Sequence, residues 1–127
     1  MFFDFTTPKE KKRKEIAYKK MLYPFGDKQN EWENNILKEL FPNKNKQQPS
    51  FKYICICYKE SLIKSQLDPD EDEYIPLEYS LKKYEKMVKR MKIDVEDLQI
   101  IENLARLQIQ ANSFEQLPTI DDIKKTS

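Results

Sequence analysis

Apolar residues at helical spacing mark two helices in series near the middle of the chain. The apolar seam of the first helix recurs at intervals of four and three residues: Leu77, Leu81, Tyr84, Val88 and Met91. Asp94 follows as a candidate N-cap for the second helix, and Glu96 and Asp97 bring negative charge into its first turn. The sequence therefore predicts two amphipathic helices that meet at Ile93 and Asp94.

The second of these helices, 94–111, is apolar on two adjacent sides. One stripe consists of Ile100, Leu104, Leu107 and Ala111, and the other of Leu98, Ile101, Ala105 and Ile109. A helix with two apolar sides needs cover on both. We therefore predict either a central position in a bundle or an association surface in which Leu98, Ile101, Ala105 and Ile109 bind a partner or a second copy.

Aromatic and basic residues dominate the first part of the chain. Phe2, Phe3 and Phe5 form an arm, 1–6, that either folds back on its own core or binds a partner. The segment Thr7-Pro8-Lys9-Glu10 then matches a capping box and predicts the start of a helix. The first two turns of that helix are basic and are expected to project into water or to meet phosphates, through Lys11, Lys12, Arg13 and Lys14.

Two further segments follow before the acidic stretch. The helix expected after Asp27 packs one face, formed by Trp32, Ile36, Leu37, Leu40 and Phe41. The segment 51–66 is ambiguous. Helical spacing connects Phe51, Ile54 and Cys55, yet the unbroken apolar run 53–58 is rich in residues that favour strands. We prefer a helix there and keep a short strand at about 51–58 as the alternative.

The chemistry that the composition excludes is more specific than the chemistry it suggests. The 127 residues include no histidine and one glycine, Gly26, which removes Ser-His and Cys-His catalysis, histidine metal sites and glycine-rich phosphate loops. Alternate aspartates in 68–73 suggest calcium, but the glycine and the bidentate glutamate of a calcium loop are missing. We therefore predict no enzymatic activity, no metal and no cofactor.

The net charge and the cysteines limit the possible cellular location and partners of the protein. The formal net charge is +1, so no global field steers the protein to nucleic acid or membrane. No stretch approaches the ~18 consecutive apolar residues that would span a bilayer. Cys55 and Cys57 are separated by one residue, a poor geometry for a disulfide with each other. A reduced, cytoplasmic protein is expected.

The fold predicted from these patterns is mainly α. It is a single helical domain, 1–127, built as a bundle of four to five helices, with a polar tail at 119–127. The alternative is an α+β domain that includes the short strand at about 51–58.

Two function classes fit this prediction. The first is a small non-catalytic interaction or adaptor protein that associates through helical surfaces. The second is a nucleic-acid-binding subunit that uses the basic N-terminal helix and the Lys82, Lys86 and Lys89 face. The helix around Trp32 and the later Asp94-x-x-Asp97-Leu98-x-x-Ile101 pattern resemble, by analogy, the small subunits of bacteriophage terminases. Frequent Lys, Asn and Ile suit an AT-rich bacterial or phage genome.

Overall fold

Every regular element in the part of the chain that the computed structural model describes, residues 8–125, is helical. The α-helices in chain order are α1 (Pro8–Leu22), α2 (Asp27–Leu40), α3 (Gln48–Ser65), α4 (Leu77–Met91), α5 (Val95–Gln110) and α6 (Ile120–Lys124). Short 3₁₀ turns occupy Asn45–Gln47 and Phe114–Gln116. The prediction of a mainly α bundle is confirmed, and α6 brings the number of α-helices above the four to five expected.

Helix α3 lies at the centre of the bundle. It packs most extensively against α5 and α4, and it also contacts α2 and α1. The sequence pattern predicted either this position or an association surface for the 94–111 helix, because that helix carries two apolar stripes. The structure instead gives α5 one large neighbour, α3, with the short α6 beside it.

The alternative of a strand at about 51–58 is wrong, and burial explains the misleading pattern. Phe51, Ile54 and Cys55 are fully buried at helical spacing, whereas Tyr53 on the opposite side remains 54% exposed. A strand would alternate its burial every second residue. The apolar run is unbroken because neighbouring helices surround α3 on several sides, so most of its circumference needs apolar residues.

The core joins α3 to α2, α4 and α5. Its completely buried apolar side chains include Phe51, Ile54, Ile101, Leu104 and Ala105, and all have no exposed surface. The buried line of α5 therefore runs between the two predicted stripes and takes residues from both. Trp32 is partly buried and packs against this core from α2.

The junction between α4 and α5 lies where the sequence predicted it. Helix α4 ends at Met91, and Lys92 adopts a left-handed conformation with φ of 54°. Asp94 occupies the N-cap position of α5, although its side chain makes no cap hydrogen bond. Lys44 contacts this end of α5 instead, because its Nζ donates to Asp97 Oδ2 and lies 3.8 Å from Asp94 Oδ2.

The chain after α5 is held against the core by a short helix, α6, with a capped N-terminus. Thr119 and Asp122 form a reciprocal capping box at the start of α6. Ile123 is completely buried, and its carbonyl accepts a hydrogen bond of 2.6 Å from Asn103 Nδ2. The first part of the expected polar tail, 120–124, is thus a docked helix.

A glycine-dependent turn connects α1 to α2. Gly26 is the N-cap residue of α2, which begins at Asp27, and the φ of Gly26 is 91°. This conformation is easily adopted only by glycine. The one glycine of the chain therefore stands where the backbone requires it.

Candidate functional site

Four buried polar side chains meet where α2, α3 and α5 converge. We call Gln29, Glu33, Lys59 and Gln108 the buried polar cluster, and each is at most 2% exposed. Lys59 Nζ lies 2.8 Å from Glu33 Oε2 and donates to Gln108 Oε1 at 3.1 Å. Gln108 Nε2 donates to Glu33 Oε2 at 2.8 Å, and Gln29 Nε2 donates to Gln108 Oε1 at 3.0 Å.

Residues around the cluster extend it to α1 and to the edge of the domain. The Tyr23 hydroxyl donates to Glu33 Oε1 at 2.8 Å, and Lys52 Nζ lies 2.5 Å from the same oxygen. Lys59 Nζ also donates to the carbonyl of Leu22, the last residue of α1, at 3.0 Å. Its ammonium lies 3.9 Å from the centre of the Tyr23 ring. One network therefore connects four helices.

The charge of Glu33 is maintained by its two lysines. Burial alone would raise the pKa of Glu33, but the positive charges of Lys59 and Lys52 and their hydrogen bonds together hold this pKa below its usual value. Burial, with the nearby Glu33 carboxylate, raises the pKa of the Tyr23 hydroxyl. Glu33 is therefore ionised and Tyr23 protonated at neutral pH.

The buried polar cluster suits a structural role better than a chemical one. Among the described residues, no buried side-chain nitrogen or oxygen lacks a hydrogen-bond partner. The cavity beside Lys59 and Gln108 measures about 100 Å³, too small for most organic substrates. A buried ion pair of this kind fixes the relative positions of the helices that carry it.

The two cysteines differ in how far they are enclosed. Cys55 is completely buried, and burial, reinforced by the Glu33 carboxylate, raises the pKa of its thiol well above the usual value. Cys57 is half-buried, and partial burial also raises its thiol pKa. Both thiols are free. Neither has the lowered pKa of a reactive cysteine.

We expect this difference to appear in thiol labelling. At neutral pH, iodoacetamide should modify Cys57 slowly and Cys55 only when the domain opens, because the thiolate is the reactive form. Mass spectrometry of the native protein over time, with the protein in urea as control, measures both rates. Equal labelling of the two cysteines in the native protein would contradict the burial of Cys55.

A continuous groove runs between α3 and α4 on the outside of the bundle. Its first section has a volume of about 310 Å³ and extends from Ile75 and Lys64 to Tyr53. Its second section has a volume of about 460 Å³ and lies beside the C-terminal half of α4. The two sections share Tyr53, Lys83 and Met87, so we treat them as one feature, the α3–α4 groove.

The second section of the groove combines an apolar floor with a basic rim. The half-exposed Tyr53 and the half-buried Met87 and Met91 provide the floor. Lys83, Lys86 and Arg90 provide the rim, at intervals of three and four residues along one flank of α4. Of the described residues, none that lines this section is acidic.

The rim cations differ from the lysines elsewhere that have carboxylate partners. Lys64 lies 2.7 Å from Glu60 Oε1, and Lys44 contacts Asp97. Lys83, Lys86 and Arg90 make no ion pair with any carboxylate in the described range, 8–125. Lys83 instead lies 4.8 Å from the centre of the Tyr79 ring. The groove thus presents apolar surface next to three positive charges without an anionic partner.

A second groove follows α1, with a volume of about 420 Å³. Its lining includes Ala17, Tyr18 and Met21, and the nearby Ile16 is 46% exposed. Lys14, Glu15 and Glu73 also line this groove, so charges of both signs are present. This groove is apolar but shows no preference for a charged ligand.

The predicted partner-binding residues are dispersed. Ile101 and Ala105 are completely buried against the core, so a partner cannot reach them without opening the domain. Leu98 and Ile109 are half-buried. The aromatic arm with Phe2, Phe3 and Phe5 lies outside the described residues, and its predicted role stays a prediction. The middle of the second stripe of α5, Ile101 and Ala105, is therefore covered by the chain itself, and its two ends lie at the boundary of the core.

The predicted nucleic-acid-binding residues are all exposed but belong to two separate helices. Lys11, Lys12, Arg13 and Lys14 lie in the first half of α1, and Lys82, Lys86 and Lys89 lie on α4. Helices α1 and α4 each pack on α3 and make no extensive contact with each other. Of these seven residues, Lys86 alone lines the α3–α4 groove.

Sequence reasoning missed Tyr53, Met87 and the buried polar cluster. A signal for Glu33 was present, because Gln29, Glu33, Ile36 and Leu40 follow helical spacing and share the buried face of α2. No comparable signal marks the groove, which exists only once α3 and α4 are packed together.

The comparisons with known proteins give no family for this chain. It matches no protein-family model, no curated protein and no solved structure. Within residues 8–125, no cluster of three or more His, Cys, Asp or Glu side chains is placed to hold a metal ion. In the same range, no helix combines the length and apolar character needed to cross a bilayer.

Proposed function

We propose that this protein is a small non-catalytic interaction module that binds a protein partner in the α3–α4 groove. The observation that carries the proposal is the juxtaposition of the apolar floor, Tyr53, Met87 and Met91, with a rim of cations that have no carboxylate partner among residues 8–125. Helical bundles commonly bind a partner segment in a groove between two helices. Methionine side chains adapt to different apolar partners, which suits such a surface.

A non-catalytic role is supported by the chemistry of the ionisable groups. Glu33 and Lys59 are buried and fully hydrogen-bonded to each other and to Gln108. The cysteine thiols have raised rather than lowered pKa values. A nucleophile or a general base needs access to a substrate and a pKa matched to its task. The free thiols also suit the reducing cytoplasm that we propose as its location.

Two tyrosines of similar exposure provide a matched test of the groove. Tyr53 lies on the groove floor and is 54% exposed, whereas Tyr79 lies outside the groove and is 57% exposed. Peptides selected from a random displayed library on the folded protein should lose binding to Tyr53→Glu by about thirtyfold, the effect of one interface hot spot. The control is the uncharged Tyr79→Gln, which should leave binding unchanged, because a glutamate at this position would lie four residues before Lys83 and pair with it. Fluorescence anisotropy with the labelled peptides measures both affinities.

The outcomes of this test separate the groove from other surfaces. Circular dichroism should show equal helicity and equal Tm for the two variants, because both tyrosines are half-exposed. Selected peptides that bind Tyr53→Glu and wild type equally well would contradict the proposed site.

Nucleic-acid binding through the solvent face of α4 is the second candidate. Lys82, Lys86 and Lys89 are all exposed, which supports it. In that case, retention on heparin or DNA should fall steeply with salt. It should also be lost in Lys82→Glu/Lys89→Glu, a variant that leaves the groove lining unchanged. Retention that is absent at low salt would remove this candidate.

A further inference from the structure

We infer that the occupant of the α3–α4 groove is an acidic amphipathic helix of a partner protein. In this arrangement, apolar side chains of the partner helix rest on Tyr53, Met87 and Met91, and its carboxylates face Lys83, Lys86 and Arg90. The inference rests on the function proposed above and names the chemical class of the partner.

The dimensions of the groove fit about three turns of helix. Its lining extends from Tyr53 to Lys64 along α3 and from Ser80 to Met91 along α4. At a rise of 1.5 Å per residue, each of these stretches is roughly 16 Å long. A helix of that length presents apolar side chains at positions i, i+4 and i+7 to one groove.

The floor of the groove favours aliphatic and aromatic side chains over nucleic-acid bases. Bases stack on the flat faces of several aromatic rings in a single-strand site. Among the described residues that line the basic section of the groove, Tyr53 is the one aromatic residue, and the rest of the floor comes from Met87 and Met91. Flexible thioethers accommodate the irregular surface of a helix better than they stack on planar bases.

The rim selects for negative charge along the partner helix. Lys83, Lys86 and Arg90 occupy one flank of α4 over two helical turns, so carboxylates spaced by three or four residues on a facing helix can reach them. Glu60, the one acid in the neighbouring section, is already engaged, because it lies 2.7 Å from Lys64 and accepts a hydrogen bond from Tyr18 at 2.7 Å. Charge complementarity of this kind increases the association rate and the selectivity for acidic partners.

A second copy of the chain fits the groove less well. Its own acidic segment, 68–73, is a series of turns rather than a helix. Insertion of that segment into the groove of another copy would join two different surfaces, and such a contact propagates into an open chain unless the rotation closes. A helix from another protein satisfies the same chemistry without this difficulty.

The test is a selection from a library of random peptides about four helical turns long, displayed on phage and panned on the full chain. Selected peptides should be rich in Asp and Glu and carry Leu, Phe or Met at i, i+4 and i+7. Their affinity should fall about tenfold or more in Lys86→Glu/Arg90→Glu and should also fall with added salt. The matched pair of variants is Lys86→Gln/Arg90→Gln, which should weaken binding, and Lys82→Gln/Lys89→Gln, which removes the same charge from α4 outside the groove and should preserve binding. Glutamine is used in this pair because a glutamate at position 82 or 89 would lie within pairing distance of Lys86 along the helix.

Each of the other possible results would refute one specific part of the proposal. Peptides that need Tyr53 but are neutral or basic would refute the acidic helix and leave the groove as a protein-binding site. Wild-type protein whose mass in light scattering rises with concentration, and falls back in Tyr53→Glu, would identify the occupant as a second copy. A labelled oligothymidine whose binding is lost in Lys86→Glu/Arg90→Glu, with no acidic peptide selected, would make the ligand a nucleic acid. Peptides that bind independently of Tyr53 would refute the proposed function itself.

Discussion

Glu33→Gln is expected to destabilise the domain by about 3–5 kcal/mol, the typical effect of leaving a buried charge unpaired. Lys59 is 1% exposed, and Glu33 is the one carboxylate that pairs with it among residues 8–125. Without that carboxylate, its ammonium keeps only the Leu22 carbonyl, the Gln108 amide oxygen and the Tyr23 ring. Urea denaturation followed by circular dichroism measures the change in the free energy of unfolding.

Lys59→Met removes the other member of the ion pair and is the matched control. It is expected to lower the free energy of unfolding by less, about 1–3 kcal/mol. Glu33 then keeps Lys52 at 2.5 Å and the hydrogen bonds from Tyr23 and Gln108. The asymmetry follows because Glu33 has two cationic partners and Lys59 has one anionic partner. A larger loss for Lys59→Met than for Glu33→Gln would show that the account of the buried polar cluster is wrong.

The pH dependence of the same comparison follows from the lowered pKa of Glu33. A carboxyl whose folded pKa lies below its unfolded value of about 4.3 stabilises the fold fully above that value. The stabilisation is lost as the pH falls through the folded pKa. The difference in unfolding free energy between wild type and Glu33→Gln should therefore be largest near neutral pH and should decrease below pH about 4. A difference that grows on acidification would contradict the lowered pKa.

Ile101→Glu is the second substitution with a large expected effect, and it should unfold the domain. Ile101 has no exposed surface and belongs to the core between α3 and α5. An ionised carboxylate there would lie among the apolar side chains of the core, and the penalty of several kcal/mol approaches the ~5–15 kcal/mol that stabilises a typical domain. Val95→Glu is the matched control, because Val95 begins the same helix and is 69% exposed.

The measurement is the far-ultraviolet circular dichroism of both variants during heating. Ile101→Glu should lack a cooperative transition, and Val95→Glu should keep the wild-type Tm. A folded Ile101→Glu variant with an altered oligomeric state would instead indicate that Ile101 is exposed. That result would favour the association surface predicted from the sequence.

Local spacing was sufficient to predict some elements of this fold. The seam from Leu77 to Met91 predicted α4 and its boundaries, because a helix that packs mainly against one neighbour, here α3, buries one narrow stripe. The same rule was less informative for α3. That helix is enclosed on several sides, so the unbroken apolar run 53–58 obscured its helical spacing and left a strand as the alternative. The position of each helix in the bundle, rather than the helix or strand propensity of its residues, determined the pattern of apolar residues.

The candidate site could be predicted only in part, for a different reason. Lys86 was identified from the basic face of α4, but its partners on the groove, Tyr53 and Met87, depend on how α3 packs against α4. Contacts between residues far apart in sequence leave no local period. Lys59 was equally hidden, because a lysine beside Glu60 in a helix resembles an exposed residue until the neighbouring helices cover it.

The claim that the α3–α4 groove is the binding surface is tested most directly by nuclear magnetic resonance. A peptide selected on the folded protein is titrated into isotopically labelled full chain, and shifts are mapped by residue. The expected result is a continuous set of shifted signals at Tyr53, Lys83, Met87 and Met91, with little change at Lys82, Lys89 or the α1 groove. Shifts that cluster on the solvent face of α4 or on α1, with the groove unperturbed, would contradict the account.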